Sequence, residues 1–281
     1  MHVPRRKIVA NQKGGVGKTA VSSGVAQALA EKQELNSTSG RRGLARRVLV
    51  VDFDPQGHLS KQLGIAPLPM SGDTLVKHMV GEAEGPIRDL LVPVDDERFE
   101  GRLFVLPSSA DAFVLDVRLS TIRAREGALE RALEPLEDEF DEIIVDCPPS
   151  LGLTMDCAIY YGRQRDEDDA GRSGVLIPVE AEDSSADAYI LLTSQIEDLR
   201  TDMRINVDYL GLVVNKYDSR RGHIATSSLE QWESLGDPAV VGVLGDRKEQ
   251  REAVRLKEGL LSYAPECAQS ETMREIAGRM A

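Results

Sequence analysis

Short runs of β-branched and other apolar residues recur along the chain, bounded by glycine, proline, asparagine or aspartate. They lie at residues 7–11, 47–54, 102–109, 142–149, 174–180, 209–218 and 239–245. Several are apolar at successive positions, which is typical of parallel strands covered by helices on both faces. Segments of helical composition lie between them, at 18–31, 112–139, 185–203 and 225–235. This alternation predicts an α/β fold with a doubly wound, mostly parallel sheet of seven or eight strands.

The organisation of the chain follows from what interrupts this alternation. Because the sequence contains neither a Pro/Ser-rich linker nor an internal repeat, it predicts one domain over residues 1–281. Residues 36–47 are polar, basic and glycine-containing, and residues 163–173 form a run of mixed charge. Both stretches are typical of loop insertions on the surface.

The net charge changes the picture of possible partners. The 281 residues carry a formal charge of −13, which argues against a general polyanion binder. The charge is unevenly distributed, however, because residues 1–47 contain ten basic and only two acidic residues. We therefore expect cationic character to be local, in this N-terminal segment and in a group of arginines between residues 220 and 257.

The cysteines and the apolar runs indicate the cellular compartment of the protein. Cys147, Cys157 and Cys267 are odd in number and have no C-x-x-C spacing, so neither a disulfide framework nor a zinc cluster is expected. No apolar run approaches the roughly 20 residues that span a bilayer. These features predict a cytoplasmic protein.

The strongest chemical motif follows the first predicted strand. Residues 13–19 read K-G-G-V-G-K-T and overlap the end of the G-x-x-x-x-G-K-[ST] phosphate loop, with Asn11 or Gln12 in place of its first glycine. Glycines let backbone N–H groups turn around phosphate oxygens, and the following helix adds its dipole. Lys18 is expected to reach the β- and γ-phosphates, and the Thr19 hydroxyl to bind Mg²⁺. The predicted nucleotide-binding residues of this loop are Lys13, Gly14, Gly15, Val16, Gly17, Lys18, Thr19 and Ala20.

A second lysine inside the loop gives the sequence a family resemblance. K-G-G-V-G-K-T resembles the deviant phosphate loop of the ParA/MinD group of ATPases, and the resemblance, closest to ParA (Soj-like) partition proteins, extends almost to the C-terminus. It implies that Lys13 crosses an ATP-sandwiched dimer to contact the phosphates bound by the other subunit. The family's loop usually ends in two threonines, and Ala20 replaces the second one. The missing hydroxyl is expected to weaken nucleotide binding by roughly 0.5–1.5 kcal/mol.

Three aspartates follow predicted strands, where α/β sheets bind ligands. Asp52 and Asp54 are two residues apart, so they point to one side for as long as the strand continues. Their D-x-D-P-Q-G pattern resembles the first ParA switch, which implies that Asp54 orients the hydrolytic water and that Asp52 supports the metal site. Asp146 ends an apolar strand, as a Walker B carboxylate does, and is expected to hold Mg²⁺ with Thr19. Catalytic roles are therefore predicted for Lys13, Lys18 and Asp54.

The other end of the nucleotide is harder to assign. Asn215-Lys216-Tyr217-Asp218 spells N-K-x-D, the guanine-reading motif of many GTPases. The resemblance to ParA instead implies that Asn215 contacts adenine together with Asp246 and Arg247, so ATP is favoured over GTP. Basic residues near this end match the region where ParA proteins contact DNA nonspecifically. They are Arg220, Arg221, Arg247, Lys248, Arg251, Arg255 and Lys257.

The resemblance implies a function and leaves alternatives. A partition ATPase would dimerise on ATP, bind nonspecific DNA on the nucleoid and hydrolyse ATP slowly until a ParB-type centromere-binding partner stimulates it. A MinD-like membrane ATPase would need a basic amphipathic C-terminal helix. Residues 270–281 offer Met273, Ile276 and Met280 but carry only two arginines against two glutamates, so no membrane association is expected. A cluster-binding protein or a ligase on this fold, or a scaffold without hydrolysis, are further alternatives.

Overall fold

The computed structural model describes residues 3–32, 43–165, 173–182, 184–218, 220 and 223–281. Its strands are β1 (Arg5–Val9), β2 (Val48–Asp52), β3 (Val92–Pro93), β4 (Leu103–Leu106), β5 (Glu142–Asp146), β6 (Gly174–Glu180), β7 (Tyr209–Tyr217) and β8 (Val240–Gly245). They form one sheet in the order β3-β4-β2-β5-β1-β6-β7-β8. Each neighbouring pair is parallel except β3 and β4, which are antiparallel. The predicted doubly wound α/β fold is confirmed.

The helices cover both faces of this sheet. They are α1 (Lys18–Ala30), α2 (His58–Gln62), α3 (Leu75–Val80), α4 (Leu115–Leu119), α5 (Ala128–Leu133), α6 (Leu153–Tyr161), α7 (Ser184–Met203), α8 (His223–Ser234), α9 (Lys248–Leu256), α10 (Leu260–Tyr263) and α11 (Ala268–Met280). Three of the four segments of predicted helical composition agree closely with α1, α7 and α8. No helix within the described ranges is both long and apolar enough to cross a bilayer.

The helix expected over residues 112–139 is wrong as a continuous element. This region contains α4 and α5, with short 3₁₀ turns at Ala110–Val114, Arg125–Gly127 and Glu134–Glu139. Ser120 and Thr121 donate their hydroxyls to backbone carbonyls three residues earlier, which competes with the helical pattern. Ala124 adopts a left-handed conformation with φ 48°, and Pro135 further on lacks an N–H donor. Local backbone chemistry therefore breaks the segment.

The first and last helices pack against each other on one face of the sheet. Val21, Val25 and Leu29 of α1 share a buried cluster with Met273 and Ile276 of α11. At Gly24 the helices approach so closely that a Cβ atom would lie 2.8 Å from the Met273 side chain. Met280 belongs to the same cluster. The apolar residues that a membrane-binding C-terminal helix would use are thus part of the core.

A buried ion pair fastens the same two helices. Glu31 accepts hydrogen bonds from Arg274 Nε at 2.7 Å and Nη2 at 2.8 Å, and from Arg98 Nη1 at 3.0 Å. Burial alone would raise the pKa of Glu31, but the two arginines outweigh it and hold that pKa below its ordinary value. The end of α1 is therefore tied to α11 by a charged contact as well as by apolar packing.

The flanks of both predicted insertions are anchored, whereas residues 36–42 and 166–172 lie outside the described residues. Ala45 and Arg46 donate backbone hydrogen bonds to Glu31 and Leu29. Arg165 pairs with Glu130 at 2.7 Å. Both insertions thus begin or end on fixed points of the domain.

Candidate functional site

The predicted phosphate loop lies where the carboxyl ends of β1, β5 and β2 meet, the usual ligand edge of such a sheet. Gly15 and Gly17 have φ angles of 78° and 95°, a left-handed conformation that favours glycine. No side chain caps the N-terminus of α1 at Gly17, so backbone N–H groups there are free to bind an anion. The 13 residues of α1 add a favourable dipole. The loop has the backbone features of a phosphate cradle.

Lys18 is buried beneath this loop. Its Nζ donates to the carbonyl of Lys13 at 3.1 Å. Desolvation lowers the pKa of Lys18, an effect opposed by the negative charges of Asp146 and Asp54. A phosphate group would therefore meet a lysine that has few water contacts and lies beside the carboxylates.

Asp146 receives two hydroxyl groups from the first turns of α1. Thr19 Oγ1 donates to its Oδ2 and Ser22 Oγ to its Oδ1, both at 2.8 Å. Burial, with the neighbouring charge of Asp52, raises the pKa of Asp146 to about 7. The structure thus brings the predicted metal residues Thr19 and Asp146 into contact. Sequence reasoning missed Ser22, although its position three residues after Thr19 places it on the same helix face.

Asp52 lies beside Asp146 in the register of β2 and β5. The N–H and hydroxyl of Ser60, in α2, both donate to its Oδ2, at 2.8 and 2.5 Å. Its Oδ1 is buried and has no hydrogen-bond partner, and burial raises the pKa of Asp52 to about 6. Two adjacent carboxylates, an unpartnered oxygen and the Thr19 hydroxyl form an oxygen-rich set that suits Mg²⁺. Thr19, Asp52 and Asp146 would hold that ion.

Asp54 lies beyond the strand that was expected to orient it. β2 ends at Asp52, and Asp54 is buried in the following turn, where its Oδ1 accepts from Gln56 N–H at 2.8 Å. Ser108 fixes the turn by donating to the Asp54 carbonyl at 2.7 Å. The orientation of the Asp54 side chain is therefore set by the hydrogen bonds of this turn. The alternation of side chains along β2 does not determine it, because the strand has already ended.

Lys13 points to a pair of carboxylates on its own chain. Its Nζ lies 2.7 Å from Glu180 Oε2 and 3.6 Å from Glu182 Oε2. The other oxygen of Glu180 pairs with Lys216 Nζ at 2.7 Å. Neither Glu180 nor Lys216 was identified as a site residue from the sequence. If Lys13 is to contact a nucleotide, its ion pair with Glu180 has to break first.

At the base end, Asn215 contacts the phosphate loop. Its Nδ2 donates to the Val16 carbonyl at 2.8 Å, and a Cβ at Gly17 would lie only 1.9 Å from that nitrogen. Asp246 and Arg247 instead line a cavity of about 450 Å³ with Tyr217 and Arg220. The three residues predicted to contact the base therefore have different surroundings. Asn215 is bonded to the phosphate loop, whereas Asp246 and Arg247 line the 450 Å³ cavity.

The candidate DNA-binding residues that the structure describes are exposed. Lys248, Arg251 and Arg255 lie on α9, and Arg247 and Lys257 flank it. Arg251 pairs with Asp246 at 3.0 Å, and Arg220, on the nearby turn, pairs with Asp218 at 2.9 Å. Arg221 lies outside the described residues. Of these residues, Arg220 and Arg247 line the 450 Å³ cavity. The others lie on or just after α9, which begins directly after Arg247.

The N-terminal basic segment has a different fate from the one expected. Lys7 and Arg5 pair with Glu142 inside the fold, and Arg6 is fully buried. Arg47 stacks over the rings of Phe104 and Phe140, at 4.9 and 5.3 Å from their centroids. The expectation that this segment forms a cationic surface is wrong for Arg5, Arg6 and Lys7, because their charges are used inside the fold. Arg47 is exposed and keeps its charge at the surface.

The cysteines show no sign of a cluster site. Cys147 and Cys157 are buried, and burial raises the pKa of the Cys157 thiol to about 12. The described part of the chain contains no group of three or more His, Cys, Asp or Glu side chains that could hold a metal ion.

Comparison with known proteins gives consistent matches. Residues 5–209 match the family described as an AAA domain. The chromosome partitioning protein ParA of Myxococcus xanthus is 32% identical over 223 residues, which cover 79% of this chain and 68% of that protein. An ATP complex of a Cyanothece McdA variant superposes with a TM-score of 0.78 at 18% identity, covering 99% of this chain and 96% of the other. Cobyrinic acid a,c-diamide synthase of Mycobacterium smegmatis with ADP and magnesium gives 0.67 at 28% identity, covering 92% and 91%.

Proposed function

The chain belongs to the ParA/MinD group of P-loop ATPases, close to ParA, and from this membership we propose that it is a DNA partition ATPase. In this proposal it dimerises when ATP binds, binds DNA nonspecifically as a dimer on the nucleoid, and hydrolyses ATP slowly. A ParB-type centromere-binding protein is its proposed stimulating partner. The observation that carries the proposal is the phosphate loop with two lysines, placed beside the buried carboxylates Asp52 and Asp146.

The chemistry assigns a step to each group. The loop N–H groups and Lys18 bind the β- and γ-phosphates, while Thr19, Asp52 and Asp146 would hold Mg²⁺, which supplies neutralisation of the developing phosphate charge. Asp54, fixed in its turn by Gln56 and Ser108, orients the attacking water. Lys13 contacts phosphates across the dimer. Intrinsic turnover is proposed to be slow because the transition state is completed only when the ParB-type partner stimulates the dimer.

The proposed DNA surface is local and reversible. The whole chain is acidic, with a net charge of −13, so DNA contact is proposed for a small local set, the exposed cations on and beside α9 and on the Arg220 turn. A dimer doubles this set, and phosphate contacts of several cations add strongly at low salt. Dimerisation by ATP is therefore proposed to switch DNA binding on.

Co-sedimentation with nonspecific DNA tests the proposal, with ATP and with ADP at one fixed salt concentration. We expect binding with ATP and little with ADP, and the paired substitution Arg251→Ala and Arg255→Ala should weaken the ATP-dependent binding. Arg279→Ala, on the exposed side of α11, is the matched control. Equal binding with both nucleotides would contradict the switch. Binding to anionic liposomes with ATP, in place of DNA, would instead support a MinD-like membrane function.

Asp54→Ala separates hydrolysis from assembly. Removing the water-orienting carboxylate should abolish turnover and leave ATP-dependent dimerisation intact, measured by phosphate release and by light scattering. Unchanged turnover would remove Asp54 from the proposed catalytic role.

A further inference from the structure

Glu180 is held as a fixed carboxylate at the end of β6. Its N–H donates to Ser185 Oγ at 3.2 Å, and its carbonyl accepts from Trp232 Nε1 at 3.1 Å. Its side chain is only 10% exposed, and each carboxylate oxygen lies 2.7 Å from a lysine amine, that of Lys13 or that of Lys216. Glu180 therefore bridges two lysines from a position that its backbone cannot easily leave.

Lys216 reaches Glu180 through an unusual backbone conformation. It has a φ of 54°, which is uncommon for a residue with a side chain and marks local strain when the surroundings enforce it. The pairing of β7 with β8 is irregular between Val214 and Tyr217, so the strand is distorted at this point. The amine also lies beside the phosphate loop, 3.9 Å from the position of a Cβ at Gly15. The distortion thus places a second cation next to the one that Lys13 supplies.

The charge balance of this bridge depends on which lysine is present. Burial would raise the pKa of Glu180, but hydrogen bonds from Lys13 and Lys216 outweigh it and lower that pKa, so the carboxylate is ionised. Glu182, the other carboxylate near Lys13, is 49% exposed, so water has access to it whether or not Lys13 is present. Glu180 lacks that access, and an ionised buried carboxylate without a cation is strongly unfavourable.

We propose that Lys216 is a positioning residue for Lys13: it keeps Glu180 paired when Lys13 turns to the partner subunit, and so makes that movement favourable. The inference rests on the proposed function, because Lys13 leaves Glu180 only if it contacts phosphates across a dimer. Without Lys216, Lys13 is the one close cation left to Glu180 among the described residues, and ATP must compete against a full buried ion pair. With Lys216 present, Lys13 can move to the phosphates of ATP while Lys216 stays paired with the Glu180 carboxylate.

A double-mutant cycle tests the proposal through assembly. We expect Lys216→Met to raise the ATP concentration for half-maximal dimerisation roughly tenfold, within the usual range of coupling between sites. Glu180→Gln should remove this effect, so that Lys216→Met adds less than about twofold in the Glu180→Gln background. An equal loss in both backgrounds would mean a merely structural role and would overturn the proposal, as would an unchanged Lys216→Met variant.

Arg204→Met is the matched control. Arg204 is also an exposed cation in the left-handed conformation, with a φ of 55°. It follows the 20-residue α7, whose opposite end lies next to Glu180, so it is about 30 Å away along the helix. We expect its substitution to leave ATP-dependent dimerisation unchanged. A tenfold loss in this variant would show that removing any such cation impairs assembly, and would contradict the specific role of Lys216.

Thermal unfolding of the nucleotide-free chain separates this inference from the proposed function. Lys13→Met and Lys216→Met are each expected to lower the melting temperature slightly, because Glu180 keeps one cation, and together to lower it by more than the sum. Additive shifts would overturn the shared carboxylate even if ATP dimerises the chain. If ATP does not dimerise the wild-type chain, the proposed function fails, and so does the proposed movement of Lys13 away from Glu180. Non-additive shifts in melting temperature would still establish that Glu180 bridges the two lysines.

Discussion

Glu142 and Asp146 stand at opposite ends of the five-residue strand β5, and both are completely buried. Glu142 forms ion pairs with Lys7 and with Arg5, the latter at 3.2 Å. Among the described residues, the Asp146 side chain accepts hydrogen bonds from the hydroxyls of Thr19 and Ser22 and lies beside another carboxylate, Asp52. At one end of this strand the carboxylate is paired with cations, and at the other end it is bonded to hydroxyl groups.

The difference separates structural from functional burial. A buried charge with its partners in place belongs to the fold, and losing one partner is costly. A buried carboxylate whose pKa is raised, and which is bonded to hydroxyl groups and not to a cation, is more typical of a functional site. Burial and the charge of Asp52 raise the pKa of Asp146 to about 7, and this end of β5 carries the candidate metal residues.

The largest expected effect is on stability, at the neutralised end. Glu142→Gln leaves Lys7 buried without a counter-charge and should destabilise the chain by about 3–5 kcal/mol, measured by urea unfolding. The double variant Lys7→Met and Glu142→Leu removes both charges and should recover most of the loss. If Glu142→Gln unfolds at the wild-type urea concentration, the distinction between the two ends of β5 is lost.

The next effect is on activity, at the other end. Asp146→Asn should reduce ATP hydrolysis by about a hundredfold, because it removes a carboxylate from the proposed metal set. The free energy of unfolding should change by less than about 1 kcal/mol, since the two hydroxyls keep a polar partner. Phosphate release and urea unfolding of the same sample provide both readouts. A large loss of stability would make Asp146 a structural residue like Glu142.

A third buried carboxylate sharpens the comparison through pH. Glu31→Gln should cost roughly 1.5–3 kcal/mol at pH 7, because it removes charged hydrogen bonds to Arg274 and Arg98. The pKa of Glu31 is lowered in the folded chain, so its contribution is present above the unfolded value and is lost as pH falls through the folded one. The difference between variant and wild type should therefore shrink between about pH 5 and pH 3. A difference independent of pH would contradict the charged contact.

The smallest effect concerns the phosphate loop itself. Ala20→Thr restores a hydroxyl in the first turn of α1 and should tighten ATP binding by roughly 0.5–1.5 kcal/mol, with no comparable change in stability. Ala20→Val has a similar shape without the hydroxyl and serves as the control. Equal affinities of the two variants in a calorimetric titration would show that shape, and not the hydroxyl, determines the result.

The sequence predicted the elements whose signals are local. Six of the seven apolar runs became strands that are buried on both faces over most of their length, whereas β8 is mostly half-buried. The chemistry of K-G-G-V-G-K-T is also a local signal, because it depends on glycine conformations and on one helix terminus. The one strand that no apolar run predicted is β3, which has only two residues and is too short to show a sequence pattern. Residues 112–139 misled because the side-chain hydrogen bonds of Ser120 and Thr121 override composition.

The missed parts of the site depend on contacts between distant residues. Ser60 reaches Asp52 from a separate helix, and Glu180 meets Lys13 from 167 positions away in the sequence. The charge of the N-terminal segment misled for the same reason, because its counter-charge Glu142 lies at the start of β5. The arrangement of such groups is a property of the topology, which no local pattern encodes.

The packing of α1 against α11 also has a consequence for biosynthesis. The helix that begins the phosphate site is made early, yet Met273 and Ile276, which cover its apolar face, are more than 240 residues further along the chain from Gly24. At translation rates of about 5–20 residues per second, that face waits roughly 12–50 s on the ribosome before its cover emerges. We expect nascent chains stalled before residue 268 to be held by chaperones, because the apolar face of α1 is not yet covered by α11.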